Sequence, residues 1–169
     1  GVVTAPGLPA GARVVRDEYG VAHIFGETDE DVFFALGYVH AQERFFQMDL
    51  VRRSVHGTLS ELFGERALTA DARARIRGDH LVARRQLDTL DPDARASVEA
   101  YAAGVNARLG EGAPSPEYAI LRKTPAPWRL EDTAALTVSF ANTLMGSGVE
   151  LNRMGLEGVL DGEQLDQFL

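Results

Sequence analysis

The polar-flanked apolar pair of Arg13-Val14-Val15-Arg16 reads as a strand, and Val21-Ala22-His23-Ile24-Phe25, mostly apolar, reads as the return strand. Asp17-Glu18-Tyr19-Gly20 between them is a turn sequence, so the pattern predicts a β-hairpin with a glycine-containing loop. Residues 1–12, rich in Gly, Pro and Ala, read as an extended lead-in. From Thr28 the period changes. A threonine N-cap followed by Asp29, Glu30 and Asp31 starts a helix, because the hydroxyl satisfies an orphan N–H and the acids suit the positive first turn. That helix runs without proline to about Val55. Phe33, Phe34, Tyr38, Phe45 and Phe46 crowd it more widely than one stripe, which predicts cover on more than one side. Asp49 and Arg53 stand at i,i+4 and read as a pair worth a few tenths of a kcal/mol at most.

Leu59, Leu62 and Phe63 form a short apolar cluster between Gly57 and Gly64. Residues 67–87, rich in Arg and Ala, predict an exposed helix. Its arginines over 73–85 read as a solvated face, with Asp71, Asp79 and Asp88 offsetting their charge. Asp91-Pro92 is an N-cap followed by proline at the first helical position. Val98, Tyr101, Ala102, Val105 and Leu109 then mark one helical face. Residues 110–116 read as a loop, and Pro125-Ala126-Pro127-Trp128 as a rigid lead into a helix from about Glu131. Leu136, Val138, Phe140, Ala141, Leu144 and Met145 cover more than half of that helix, which predicts a position between two partners. Gly146-Ser147-Gly148 ends it, and residues 149–160 and 162–169 read as two short helices. The fold class is therefore mostly α with a short N-terminal β-hairpin, with residues 1–169 read as a single unit.

Composition narrows the function. The 169 residues are 45% hydrophobic and 25% charged, as in an ordinary globular domain. A net charge of −8 argues against a nucleic-acid partner, because phosphates need a basic surface. The absence of cysteine removes disulfides, thiolate metal sites and cysteine nucleophiles from this chain. No apolar stretch approaches the roughly 20 residues of a spanning helix, so no membrane insertion is expected.

The chain carries no evident catalytic constellation. No glycine pattern forms a phosphate or dinucleotide loop. His23, His40, His56 and His80 lack zinc-helix spacing, and no serine sits in a G-x-S-x-G turn. His23, on an inner strand, and His40, on the crowded helix, read as structural hydrogen-bonding groups. The Phe and Tyr crowd reads as core. Glu150, after Gly146-Ser147-Gly148, is either a helix-terminal acid or a calcium ligand. Spacing favours the first, because calcium takes about six or more oxygens and no other acid lies close by in sequence.

Five segments in order resemble one family. Arg16-Asp17-Glu18-Tyr19-Gly20-Val21-Ala22-His23-Ile24 resembles the R-D-x-x-G-V-P-H-I opening of penicillin-acylase-type chains, with Ala22 in place of proline. Gly37-Tyr38-Val39-His40-Ala41-Gln42-Glu43-Arg44-Phe45-Phe46-Gln47-Met48-Asp49 resembles the family's G-Y-x-x-A-Q-D-R-L-F-Q-M segment. Arg52-Arg53 with the 57–64 cluster, the run Ala100–Ala107 and Pro125-Ala126-Pro127-Trp128 follow in the family's order.

The resemblance implies the α chain of an αββα N-terminal-nucleophile hydrolase, cut from an exported precursor and bound to a larger β chain. No catalytic residue would then lie in this chain; the nucleophile would be the serine that begins the β chain. Phe140, Thr143 and Leu144 would line the acyl pocket. Penicillin G acylases carry Arg and Phe where Thr143 and Leu144 stand, so a phenylacetyl preference does not carry across. Glu150 would supply one ligand of a structural calcium shared with the β chain, and no organic cofactor is implied. Substrates would be N-acyl homoserine lactones, β-lactam side chains or other acylated amines. The location would be periplasmic or secreted, with a leader removed before Gly1. The alternative from a different class is a noncatalytic helical binding module acting alone.

Overall fold

A computed structural model describes residues 10–112 and 115–144 of the chain. Backbone contacts divide the chain into two units, Gly1–Val138 and Ser139–Leu169. The first unit opens with the expected hairpin, β1 (Ala12–Arg16) and β2 (Ala22–Gly26), paired antiparallel with Val14 opposite Ile24. Asp17 closes its turn by accepting from the Tyr19 and Val21 N–H groups, both at 2.9 Å. The expected inner strand is corrected here. The sheet has two strands, His23 is exposed, and its Nε2 meets Asp17 Oδ2 at 3.0 Å.

Helix α1 (Asp29–His56) is the axis of this unit, with a break in helical geometry at Arg44. Thr28 and Asp31 form a reciprocal capping box, as the hydroxyl-then-acids pattern predicted. Asp31 also accepts from the Ala10 and Gly11 N–H groups, which ties the segment before β1 to the helix start. These backbone donors, led by Ala10, hold the Asp31 carboxyl below its ordinary value.

Gly57, in the left-handed region at φ 65°, ends α1. A short turn of helix, α2 (Ser60–Phe63), follows, and then a 3₁₀ turn over Gly64–Ala67. The single exposed helix expected over 67–87 is two helices, α3 (Leu68–Arg77) and α4 (Asp79–Asp88). Gly78 at φ 74° separates them, since a glycine takes up this conformation at no steric cost. Helix α5 (Pro92–Gly110) starts on the predicted Asp91 cap, whose side chain accepts from Ala94 N at 2.8 Å. The loop expected at 110–116 gives way at Pro116 to a further helix, α6 (Pro116–Leu121).

Helix α5 packs along α1 through two glycines. A Cβ on Gly104 would lie 1.9 Å from the Phe34 carbonyl oxygen, and one on Gly37 2.1 Å from that of Tyr101. No other residue permits backbones this close. The core then fills around Phe45, Met48, Tyr101, Val105, Tyr118 and Trp128. The Phe45 ring stands edge-on to Trp128 at 6.0 Å. His40 lies beside this core with Nδ1 3.0 Å from Tyr101 Oη, in the structural role expected. Burial pushes its pKa down, helped by Arg44, and pushes the Tyr101 phenol up to about 12. A second cluster joins Val55, Ala83, Ala134, Ala135 and Val138.

Helix α7 (Leu130–Leu144) crosses the division between the units. Its part in the first unit buries Asp132, Ala134, Ala135 and Val138. No described helix is long and apolar enough to cross a membrane.

Candidate functional site

The most elaborate polar centre of the first unit lies where the Pro125–Trp128 stretch meets α1. Proline keeps this stretch out of strand and helix, so its backbone must find other partners, above all at buried Trp128. Side chains supply them here. Asn106 Oδ1 accepts from Trp128 N at 2.7 Å while its Nδ2 donates to Trp128 O at 2.8 Å. Trp128 Nε1 donates to Thr133 Oγ1 at 2.9 Å. Arg52 donates through Nη2 to Ala126 O at 3.0 Å and through Nη1 to Pro127 O at 3.1 Å.

Arg52 is itself buried between two buried aspartates. Its Nε donates to Asp49 Oδ1 at 2.6 Å and its Nη1 to Asp132 Oδ2 at 2.9 Å. The guanidinium also lies 5.0 Å from the Trp128 ring centroid, over its face. Asp49 accepts two further bonds, from Arg53 Nε at 2.9 Å and Tyr118 Oη at 2.7 Å. Asp132, the third residue of α7, accepts from Arg129 N at 2.8 Å and meets His56 Nε2 at 3.0 Å. Arg53 continues outward to Glu61 at 2.7 Å.

Burial alone would raise both aspartates. Tyr118 and the arginines outweigh it at Asp49, and His56, Arg129 N and Arg52 outweigh it at Asp132, so both carboxyls sit below their ordinary value. Burial and the Asp49 carboxylate raise the Tyr118 phenol well above its own.

A cleft of about 400 Å³ opens beside this network, lined among others by Arg53, His56, Thr58 and Arg129. The His56–Asp132 pair has the form of a base with its orienting acid. No hydroxyl of a described residue bonds the His56 ring, however, so the pair lacks a nucleophile. Chemically the centre anchors. It seats the first turn of α7 and the proline stretch on α1 with every charge matched. Sequence reading missed it and took Asp49–Arg53 for a weak pair. The available signal was an Asp-x-x-Arg-Arg run on a helix already expected to be covered.

The residues expected to line an acyl pocket are placed differently. Phe140, Thr143 and Leu144 lie in the second unit, on the last turns of α7. Phe140 is 68% exposed and Leu144 83%, one helical turn apart on one side. Thr143 Oγ1 donates to Ser139 O at 2.9 Å. The helix predicted to lie between two partners thus leaves these apolar side chains open. Glu150 lies outside the described residues. Among the described residues no three His, Cys, Asp or Glu side chains gather to hold a metal.

The described residues thus form a mostly helical fold with an N-terminal two-stranded hairpin and an anchoring centre, with no base–nucleophile pair at His56. The chain belongs to the penicillin amidase family, whose model matches residues 11–169. It is 45% identical over 129 residues to penicillin acylase 2 proenzyme of Pseudomonas sp. (strain SE83), covering 76% of this chain and 17% of that protein. Penicillin G acylase of Escherichia coli is 32% identical over 151 residues, 85% of this chain and 18% of that protein. Acyl-homoserine lactone acylase QuiP of Pseudomonas putida is 33% identical over 148 residues, with 83% and 18% covered. The chain therefore spans less than a fifth of these relatives. Among solved structures, a chain of the thermostable penicillin G acylase from Alcaligenes faecalis matches at 29% identity and a TM-score of 0.76. That match covers 95% of this chain and 92% of the solved one.

Proposed function

We propose that this chain is the noncatalytic α portion of an amide hydrolase cut from a longer precursor. The observation that carries the reading is a contrast of lengths. The chain fills 17% of a relative named as a proenzyme, yet 92% of a chain in the solved acylase. A relative's separate chain of this size accords with processing, and with the lack of a nucleophile among the described residues.

The reaction is hydrolysis of a linear N-acyl amide. The serine hydroxyl at the start of the β chain attacks the carbonyl carbon while the chain's own α-amine, of pKa about 8, takes its proton. The C–N bond breaks, the amine leaves with that proton, and water then releases the acid and restores the serine. No His–Asp pair is needed, which agrees with the His56 ring bonding no hydroxyl among the described residues.

The α chain contributes binding. Phe140, Thr143 and Leu144 form part of the acyl pocket once the β chain covers them, and the exposure of Phe140 and Leu144 supports this over a core role. Aliphatic Leu144 and small Thr143 suit an alkyl acyl group, as on an N-acyl homoserine lactone, as readily as a β-lactam side chain. A structural calcium would take one oxygen from Glu150. On the family pattern its other ligands would come from acids of the β chain. The enzyme acts in the periplasm or outside the cell.

Co-expression with the downstream reading frame, followed by N-terminal sequencing, tests the class: a β chain starting with serine is expected. A stable, monodisperse chain with no second polypeptide would overturn the reading and favour a lone binding module. Leu144→Phe should shorten the preferred acyl chain; an unchanged chain-length profile removes Leu144 from the pocket. Metal analysis of Glu150→Ala should show calcium lost from the heterodimer, and unchanged calcium content excludes that residue as a ligand.

A further inference from the structure

The face of α3 and α4 carries a charge and an apolar surface that the chain itself leaves unmatched. Between residues 65 and 88 stand six arginines against Glu65, Asp71, Asp79 and Asp88, a surplus of two positive charges in a chain of net −8. Asp71 and Asp79 turn inward. Asp71 accepts from the Leu59 and Ser60 N–H groups, each at 2.8 Å, and Asp79 is buried against Arg77. Of the offset expected from Asp71, Asp79 and Asp88, only that of Asp88 remains on the surface. Arg66, Arg73, Arg84 and Arg85 are exposed and meet no carboxylate among the described residues. Between them Leu68, Ile76, Leu81 and Val82 are exposed as well, Ile76 to 85%. Lone surface leucines are ordinary, but four exposed large aliphatics on two successive helices that also carry unpaired arginines have the make-up of an interface.

We propose that this α3–α4 face docks onto an acidic, apolar-centred surface of the remaining, larger part of the precursor. This rests on the reading above that such a part exists. Two observations select that occupant. The chain makes up under a fifth of its relatives, so most of the protein lies outside it. The surplus of positive charge in an otherwise acidic chain calls for carboxylates, and arginine is the cation favoured at protein interfaces.

The chain has no cysteine, so a single introduced thiol on it reports one position. In the processed two-chain enzyme, the Ile76→Cys variant should react with maleimide at least about tenfold slower than after unfolding, because an interface core excludes solvent. Reaction as fast as in the unfolded chain overturns the proposal. As a second measurement, Arg73→Glu combined with Arg84→Glu should raise the Kd between the chains about tenfold or more, and the wild-type Kd should rise with salt. An unchanged, salt-independent Kd overturns it. So does binding of the processed enzyme to phosphatidylserine vesicles that the double variant abolishes, or self-association of this chain that the double variant abolishes. If no second chain copurifies with the wild type, the two-chain reading itself fails. If one copurifies and Ile76→Cys still reacts freely, only the assignment of this face fails.

Discussion

Arginine has opposite surroundings in two regions of the first unit. Around Arg52, two carboxylates, two carbonyls and an aromatic face meet one buried guanidinium. On α3 and α4, Arg77 takes the one inward aspartate that meets an arginine, Asp71 bonds backbone, and Arg73, Arg84 and Arg85 face solvent without a carboxylate. The first region is complete in itself. It holds the Pro125–Trp128 stretch and the start of α7 against α1, and removing one partner strands the others. The second is incomplete, with charge and apolar area both waiting for complement. An arginine-rich segment thus says little until the position of its acids is known, because a carboxylate used to cap backbone no longer neutralises a surface.

The contrast can be broken most severely at Arg52. Arg52→Ala leaves Asp49 and Asp132 buried without their shared cation and should destabilise by about 3–5 kcal/mol. The denaturant midpoint of the processed enzyme checks it, and a loss below about 1 kcal/mol would put the network on a par with a surface pair. Gly104→Ala should come next, at about 1–3 kcal/mol, since its Cβ meets the Phe34 carbonyl and forces α5 away from α1. Circular dichroism should show the helices retained and the midpoint lowered.

The acid limb sharpens the comparison further. Asp49 and Asp132 are held below their ordinary value, so the stability they contribute is full above about pH 4. It is lost as pH falls through their lower folded values. Asp132→Asn should flatten that part of the stability–pH curve, and an unchanged curve would show that Asp132 does not govern it. The smallest effect is expected at the Arg95–Glu99 pair on α5, which joins at 3.0 Å with both side chains about half exposed. Arg95→Ala should cost under about 0.5 kcal/mol in the same assay. A cost matching that of Arg52→Ala would erase the distinction between matched interior and open surface.

Local signals were legible where the chemistry is local. The hairpin turn, the Thr28 and Asp91 caps and the terminating glycine Gly57 each act within a few residues, so spacing alone reveals them. Gly78 was readable in the same way and was overlooked inside an Arg-Ala run that reads as one helix. The polar centre was not legible, because Asp49 and Asp132 are far apart in sequence and meet only through Arg52. The part played by Gly37 and Gly104 was hidden for the same reason: a close approach belongs to two helices and is written in neither.

The sequence by itself determined the element types, the family and the absence of a cysteine nucleophile, since these rest on residue identity and short-range order. Only the tertiary structure decided which charges are neutralised and which remain open. Pairing depends on distance in space: Asp71, nearest to Arg73 in sequence, bonds the Leu59 and Ser60 backbone, while Asp79 pairs with Arg77.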